Sequence, residues 1–159
     1  AQIVKEDEYS HIFEHSLEVQ LPFIQFFRKD FKFVPICMRN YSLSICQKLG
    51  VALAQVVKEA GKDILIIASS DMSHYEPKNI AEKKDKLAIE KILAINPAGL
   101  LKIVKDESIS MCGSGPVASM LFAAKELGAR DSELILYNTS GDITGDFSEV
   151  VGYAGILIK

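Results

Sequence analysis

The side chains best suited to proton transfer follow an apolar run near the middle of the chain. Residues 64–68 are apolar and mostly β-branched, and Asp71 and His74 come shortly after them. A run of this length is typical of a strand buried on both faces, and ligands of open α/β sheets bind beyond the carboxyl ends of strands. The pattern predicts that Asp71 and His74 exchange protons with a ligand at the edge of a sheet. A second interpretation stays open, because Ser-Ser-Asp is also a typical helix-capping sequence.

Cys112 is the second residue whose position suggests chemistry. It lies shortly before a helix predicted over residues 117–127, and a thiol near a helix N-terminus is biased towards the thiolate, which attacks electrophiles and binds metals. The alternative interpretation is a small apolar residue of the core, since free cysteines are usually buried. Cys37 and Cys46 fall inside a predicted strand and a predicted helix, and we interpret both as core residues.

The segment from His11 to His15 reads His-Ile-Phe-Glu-His, which matches the H-x-x-E-H pattern of a zinc-hydrolase helix. Two histidines four residues apart do share a helix face. A catalytic zinc site also needs a third protein ligand, and a five-residue match in one sequence is weak evidence. Zinc hydrolysis is therefore not the function that we predict from this motif.

Hydrophobic periodicity and capping signals predict the elements that carry these residues. Their order predicts an α/β fold of three α/β/α layers with a mostly parallel sheet, which an antiparallel pair can close. The whole chain, residues 1–159, is expected to form a single domain. The predicted helices cover residues 16–27, 42–60, 79–95, 96–104 and 117–127. The predicted strands cover residues 31–37, 64–68, 133–139 and 150–158.

Composition and charge argue against several classes of protein. The 159 residues carry a formal net charge of −3, whereas a nucleic-acid groove needs clustered Lys and Arg. No apolar run reaches the length of a membrane span. The three cysteines are widely spaced and do not make a disulfide framework, so a reducing cytoplasm is the expected location.

Four motifs, spread over nearly the whole chain, resemble those of one family. Their order and approximate spacing are similar to those of the Memo family, whose microbial members are also described as part of the AmmeMemoRadiSam system. The motifs are Glu14-His15-Ser16-x-Glu18-x-x-Leu21-Pro22-Phe23, Ser69-Ser70-Asp71-x-x-His74, Met111-Cys112-Gly113-x-x-Pro116 and Thr139-Ser140-Gly141-Asp142. The resemblance also accounts for Glu14 and His15 without zinc, which leaves His11 incidental.

The resemblance implies a fold and a pocket similar to those of class III extradiol dioxygenases of the LigB type. Those enzymes hold a non-haem iron with two histidines and a carboxylate, and they use further histidines as acid and base. In the Memo family a cysteine, matched by Cys112, stands in the place of the carboxylate ligand. His74 matches the acid/base histidine, with Asp71 beside it and His15 lining the same pocket. The implied function is metal-dependent redox chemistry on an unestablished substrate, and the alternative is a catalytically silent module that binds a peptide or a phosphorylated ligand.

The chain departs from the family pattern in its metal ligands. The two histidine ligands of the family lie in upstream segments, similar to Pro-His-Ala-Gly-Tyr and Ser-His-His, which this sequence lacks. The chain therefore resembles roughly the C-terminal half of the family, and its start at Ala1 rather than Met favours a piece of a larger domain. Iron(II) or copper is expected only when two upstream histidines are supplied, and no cofactor is expected in this chain alone.

The expected partners are an unknown small molecule or a peptide, with no nucleic acid and no membrane. The resemblance further implies association with AMMECR1-like and radical-SAM proteins. If the first strands of the domain are absent, one edge of the sheet is open, and an open edge tends to pair with another copy of the chain. A homo-oligomer formed through that edge is therefore a further expectation.

Overall fold

The computed structural model describes residues 4–61 and 63–159, which contain both helices and strands. The helices are α1 (Tyr9–Ile12), α2 (Leu21–Phe27), α3 (Leu43–Ala60), α4 (Lys78–Leu93), α5 (Pro97–Asp106), α6 (Ser114–Leu127) and α7 (Gly141–Thr144). A short 3-10 helix, Glu18–Gln20, precedes α2. The strands are β1 (His74–Glu76), β2 (Ser132–Thr139) and β3 (Val150–Ile158). Among the described residues, no helix combines the length and the apolar character needed to cross a bilayer.

The long helices begin and end at residues with known capping chemistry. The Ser42 side chain accepts a hydrogen bond from the amide of Ile45 at the start of α3, and Gly61 ends that helix with a φ of 58°. Asn96 caps the start of α5 in the same way, and Gly128 ends α6. Side-chain oxygens satisfy amides that a helix leaves unpaired, and glycine adopts the left-handed conformation without strain. The structure confirms, to within a few residues, the helices predicted over 42–60, 79–95, 96–104 and 117–127.

Helices α3 and α6 pack against each other at a separation that a glycine permits. A Cβ atom at Gly50 of α3 would lie 2.4 Å from Phe122 Cβ and 2.5 Å from the Ser119 carbonyl oxygen of α6. The main core is built from residues of α4, α5 and α6 and from the loops beside them. Its buried members are Met72, Ala88, Ile89, Ile92, Ile95, Leu100, Ile109, Met111, Val117 and Leu121.

We expect Gly50→Ala to destabilise the fold by about 1–3 kcal/mol, the usual cost of overpacking. Alanine favours a helix over glycine by about 1 kcal/mol, but the clash involves the backbone of α6, which cannot rotate away. Urea denaturation measures the difference. Gly155→Ala is the matched control, because a Cβ atom there meets nothing within 4 Å. Equal stability of the two variants would contradict the tight α3–α6 contact.

The three strands form one antiparallel sheet in the order β1-β3-β2. Strands β2 and β3 pair over most of their length, with Tyr137 opposite Ala154 and Asn138 opposite Tyr153. Helix α4 packs against the sheet, and Tyr137 and Ala154 contact the main core on one face. Asn138 and Tyr153 belong to the other face and are exposed. The strands predicted over 133–139 and 150–158 are confirmed, as is their antiparallel pairing.

The mostly parallel sheet and the three layers expected from the sequence are not confirmed. Every strand pairing within residues 4–61 and 63–159 is antiparallel, and residues 31–37 and 64–68 form no strand there. A strand needs a neighbour that accepts and donates its backbone hydrogen bonds. Pairing with β3 begins only at Met72, whose amide donates to the Gly152 carbonyl. Residues 64–68 therefore have the composition of a buried strand but, in the described part of the chain, no neighbouring strand to pair with. Leu65 is 78% exposed.

Candidate functional site

Cys112, Asp71 and His74 converge at one end of the sheet, although they come from separate parts of the chain. One ligand atom from each residue, namely the cysteine sulfur, a carboxylate oxygen and an imidazole nitrogen, lies within 4.8 Å of the other two. Asp71 and His74 lie where the chain enters β1, and Cys112 lies in the loop before α6. Donors of these three types at this separation can reach a common metal ion or exchange protons with one small ligand.

Buried neighbours hold both segments of the site in place. Met72 and Met111, each adjacent in sequence to a site residue, belong to the main core. The Gly113 amide donates to the Ser70 hydroxyl at 2.8 Å, which links the two segments. They approach so closely that a Cβ atom at Gly113 would lie 2.4 Å from the Ser69 carbonyl oxygen. Glycine is therefore required where the Cys112 loop meets the Asp71 segment.

The hydrogen bonds of His74 select one tautomer of its imidazole. Nδ1 lies 2.8 Å from the Ser110 carbonyl oxygen, and Nδ1 carries the hydrogen because a carbonyl only accepts. The His74 amide donates to the Ser110 hydroxyl at 2.7 Å, so one residue fixes both the ring and the backbone. Nε2 faces Asp71, with 3.5 Å between the nitrogen and a carboxylate oxygen. In the neutral ring this nitrogen has a lone pair that can accept a proton or bind a metal ion.

The sulfur of Cys112 accepts a hydrogen bond from the backbone. The Asp71 amide donates to Sγ at 3.2 Å, and α6 begins two residues after Cys112, at Ser114. Amide donors and the positive end of a helix dipole stabilise a metal-bound thiolate. Cys112 is also exposed, so a ligand or metal ion can reach its sulfur.

The other two cysteines have different surroundings. Cys46 is buried, as predicted, and its thiol donates to the Gly115 carbonyl oxygen at 3.5 Å. Cys37 is exposed, so its interpretation as a core residue is wrong, because the strand predicted around it does not form. Partial burial of its sulfur and the Glu14 carboxylate raise the pKa of Cys37, which keeps it a thiol.

A backbone irregularity lies directly beside His74. Strand β1 pairs with β3 so that His74 is opposite Val151 and Glu76 is opposite Val150, which leaves Tyr75 as an extra residue. Tyr75 has a φ of 55°, in the left-handed region, although its side chain is 75% exposed. Bulges of this kind redirect neighbouring side chains and are frequent next to functional sites. Tyr75 therefore keeps a strained backbone conformation at the edge of the site.

An open cleft of about 730 Å³ leads to Cys112 and Asp71. This volume is typical of pockets that hold a small organic ligand. The cleft is formed by the segment before β1, the exposed face of the sheet and the N-terminal segment that carries His15. Its polar lining residues are Glu14, His15, Ser16, Gln20, Ser69, Ser70, Asp71, Cys112, Asn138 and Tyr153. His15 and Cys112 thus share one cleft, whereas His74 is not part of its lining.

No sequence motif indicates three further residues of this region. Asn138 and Tyr153 face the cleft from opposite positions of β2 and β3, and only strand alternation places them on one face. Burial raises the pKa of Tyr153, and the Asp71 carboxylate adds to this effect. The phenol therefore stays protonated and can donate a hydrogen bond. Ser110 cannot be recognised either, because its contacts with His74 depend on the conformation of a loop.

The H-x-x-E-H motif does not form a helical zinc site. Helix α1 ends at Ile12, so His11 and His15 do not lie one turn apart on the same helix. His15 Nδ1 instead lies 2.8 Å from a Glu18 carboxylate oxygen, and both side chains are exposed. These positions agree with the expectation that His11 is incidental.

The Thr139-Ser140-Gly141-Asp142 motif connects the end of β2 to the start of α4. One Asp142 oxygen accepts from both the amide and the hydroxyl of Thr139, each at 2.8 Å. The other oxygen lies 2.5 Å from the Lys78 ammonium nitrogen, which in turn lies 4.9 Å from the centre of the Phe147 ring. Since Lys78 opens α4 directly after β1, this motif stabilises the strand that carries His74.

Asp142→Asn should lower stability at neutral pH and have no effect in strong acid. The Lys78 ammonium, with the amide and hydroxyl of Thr139, lowers the pKa of Asp142 from 3.8 to about 2. Because this pKa is lower in the folded chain than in the unfolded chain, the carboxylate contributes fully above about pH 4, and its contribution is lost as the pH falls towards 2. Urea midpoints of both chains across this range test the prediction. A stability difference that persists below pH 2 would contradict it.

Comparison with known proteins identifies similar sequences over nearly the whole chain. A family model described as Memo-like protein matches residues 1–157. A MEMO1 family protein of Methanopyrus kandleri is 44% identical over 158 residues, which cover 99% of this chain and 56% of that protein. A MEMO1 family protein of Methanocaldococcus jannaschii is 48% identical over 162 residues, which cover 99% of this chain and 56% of that protein. A MEMO1 family protein of Pyrobaculum aerophilum is 48% identical over 154 residues, which cover 97% of this chain and 55% of that protein. The chain spans slightly more than half the length of these curated relatives.

Proposed function

Because the chain belongs to the Memo-like protein family, we propose that it supplies the Cys112 side of a pocket for metal-dependent redox chemistry. The observation that carries the proposal is the convergence of Cys112, Asp71 and His74, whose ligand atoms lie within 4.8 Å of one another. Cys112 is exposed and lines a cleft, so its position is not explained by packing. The Asp71 amide that donates to its sulfur further suits a ligand role.

The residues present fit a transition-metal ion of the iron or copper type. Cys112 offers a sulfur, Asp71 an oxygen, and His74 a nitrogen whose lone pair is free when Nδ1 carries the hydrogen. These are donor types that suit iron(II) and copper. A bound ion of this kind supplies redox activity and Lewis acidity. In the complete protein, the two upstream histidines implied by the family resemblance would join Cys112 and take the place of His74 among the ligands, which leaves Nε2 of His74 free.

His74 is the residue that we expect to move protons once upstream histidines complete the metal site. Its Nε2 is then free to take a proton from a ligand and return it, while Ser110 holds the opposite nitrogen. The Asp71 carboxylate, 3.5 Å from Nε2, stabilises the imidazolium that forms. Tyr153 and His15 line the cleft, and we expect them to bind and orient that ligand.

A catalytically silent binding module is the second candidate, and the size of the cleft favours it. A volume of about 730 Å³ exceeds what a metal ion and its ligands need. The cleft has the acids Glu14 and Asp71 in its lining and neither Lys nor Arg among its described residues. Negative charge repels a phosphate group, so a neutral or cationic peptide fits this alternative better than a phosphorylated ligand.

The fold that we propose for the complete protein is a larger three-layer domain of which this chain forms part. Leu136, on the face of the sheet away from the core, is 59% exposed, and Phe26 and Phe27 of α2 are each 82% exposed. Large exposed apolar side chains of this kind are candidates for contact with another part of a protein, and we call these three together the apolar surface. The matched relatives are nearly twice as long as the chain, and we propose that their remaining part covers this surface. Binding to AMMECR1-like and radical-SAM proteins, and pairing of copies through a sheet edge, stay predictions.

Anaerobic titration with cobalt(II) distinguishes the two functions. Cobalt(II) replaces iron(II) as a spectroscopic probe, and coordination by a thiolate gives a charge-transfer absorption band in the near ultraviolet. The metal-pocket proposal expects this band in a full-length archaeal relative and, at higher cobalt(II) concentration, in the chain, which binds the ion more weakly without the two upstream histidines. A silent module expects no band, together with ligand binding that a chelator leaves unchanged. Absence of the band from both proteins would refute the metal pocket.

A further inference from the structure

Asp85 of α4 is a charged residue that is completely buried beside the site. Its relative exposure is 0%, yet it makes no salt bridge with any of the described residues. Burying a carboxylate without strong hydrogen bonds is costly. The fold therefore keeps Asp85 in the interior for the hydrogen bonds that it accepts.

The two oxygens of Asp85 accept from two different elements. Oδ1 accepts the backbone amide of Ser73 at 2.9 Å, and Oδ2 accepts the phenol of Tyr137 at 2.7 Å. Burial raises the pKa of Tyr137, and the Asp85 carboxylate adds to the rise, so the phenol keeps the proton that it donates. Asp85 thus links α4 to β2 and to the residue directly before His74.

Strand β3 leaves space for this carboxylate. A Cβ atom at Gly152 would lie 2.0 Å from Asp85 Oδ2, so any larger residue there would displace the carboxylate. The same glycine pairs with the site segment, because its carbonyl accepts the Met72 amide and its amide donates to the Ser73 carbonyl. Residues 72 and 73 are therefore held by β3 through one set of bonds and by Asp85 through another.

We propose that Asp85 is a positioning residue for the pocket, which acts by fixing the Ser73 amide so that His74 and Asp71 stay directed at Cys112. Asp85 touches neither the cleft nor the cluster, and its effect passes through the backbone of Ser73. The Ser73 amide has no other acceptor among the described residues, so removing the carboxylate leaves a buried donor unpaired. The segment then shifts to find another acceptor, and the imidazole and Asp71 shift with it. This inference rests on the proposed metal pocket for its function, but its geometry can be tested without metal.

The test compares three variants of the chain. Asp85→Ala removes the acceptor, Asp85→Asn keeps an oxygen for the Ser73 amide, and Tyr137→Phe removes the other hydrogen bond of the same carboxylate. In the metal-free chain, the readout is the nuclear Overhauser effect between the His74 ring and the Cys112 β-protons. With metal, the readout is cobalt(II) affinity under conditions in which circular dichroism shows all variants folded.

We expect Asp85→Ala to lose the His74–Cys112 signal and to weaken cobalt(II) binding by about 10- to 100-fold, the usual effect of residues that orient metal ligands. Asp85→Asn and Tyr137→Phe should both keep the signal and an affinity near that of the unaltered chain. A merely structural role would lower the stability of Asp85→Ala without changing either readout of the folded chain.

Three results would overturn the proposal. The first is an unchanged signal in folded Asp85→Ala, and the second is an equal loss in Tyr137→Phe, which would indicate general damage to the core. The third is loss of the signal in folded Asp85→Asn. This variant tests the positioning role of Asp85 even if the alanine variant does not fold. If neither the unaltered chain nor a full-length relative binds cobalt(II), the proposed function fails, while the metal-free signal still determines what Asp85 does.

Discussion

Cys112→Ser should abolish the thiolate-to-cobalt absorption band and lower the metal affinity of the chain by at least about tenfold. The sulfur is the soft donor of the cluster, and a serine hydroxyl stays protonated and binds transition metals poorly. The Asp71 amide, which donates to Sγ at 3.2 Å, would remain available to a serine oxygen. The loop should therefore keep its conformation while its metal chemistry is lost.

Cys37→Ser is the matched control for this experiment. Cys37 is exposed like Cys112, but partial burial of its sulfur, together with the Glu14 carboxylate, raises the pKa of Cys37 and keeps it protonated. The control should preserve both the band and the affinity. A band that survives in Cys112→Ser and disappears in Cys37→Ser would move the metal site to the N-terminal segment and refute the assignment of Cys112.

The full-length relative from Methanocaldococcus jannaschii should bind cobalt(II) at least about 100-fold more tightly than its own segment that matches this chain. Two further imidazole ligands would add the stabilisation, and each factor of ten requires only about 1.4 kcal/mol. Competition with a coloured chelator measures both affinities. Using two lengths of one protein avoids the differences that remain at 48% identity.

The same comparison tests the proposed covering of the apolar surface. The segment alone should bind a dye that fluoresces on apolar surfaces, and the full-length protein should bind much less, because the positions that match Phe26 and Leu136 would become buried. Equal metal affinity in the two lengths would mean that the remaining part supplies no ligand. Equal dye binding would mean that it does not cover this surface.

Local signals were sufficient to predict the four long helices, α3 to α6. Ser42 and Gly61 mark the ends of α3 through interactions within a few residues of the chain, and such interactions can be read from neighbouring residues. The strand predicted from the apolar run at 64–68 is wrong for the opposite reason. A strand depends on a partner that is distant in sequence, and hydrophobicity alone does not reveal whether that partner is present.

The candidate site was partly predictable for a similar reason. Asp71, His74 and Cys112 could be selected by residue type and by their positions at element boundaries, and the structure brings them together. Ser110 was not predictable, because its contacts with His74 arise where two loops meet. Asp85 lies within a helix of ordinary amphipathic sequence, and nothing in that pattern separates a buried carboxylate from its solvated neighbours.

The left-handed backbone at Tyr75 has a consequence for how this surface can evolve. An exposed side chain can ordinarily be replaced by almost any other, yet at this position the backbone conformation limits which residues are tolerated. Glycine and asparagine adopt a φ of 55° most readily, whereas β-branched residues and proline would resist it. Substitution at position 75 is therefore restricted by conformation rather than by contact, at a residue directly next to a histidine of the candidate site.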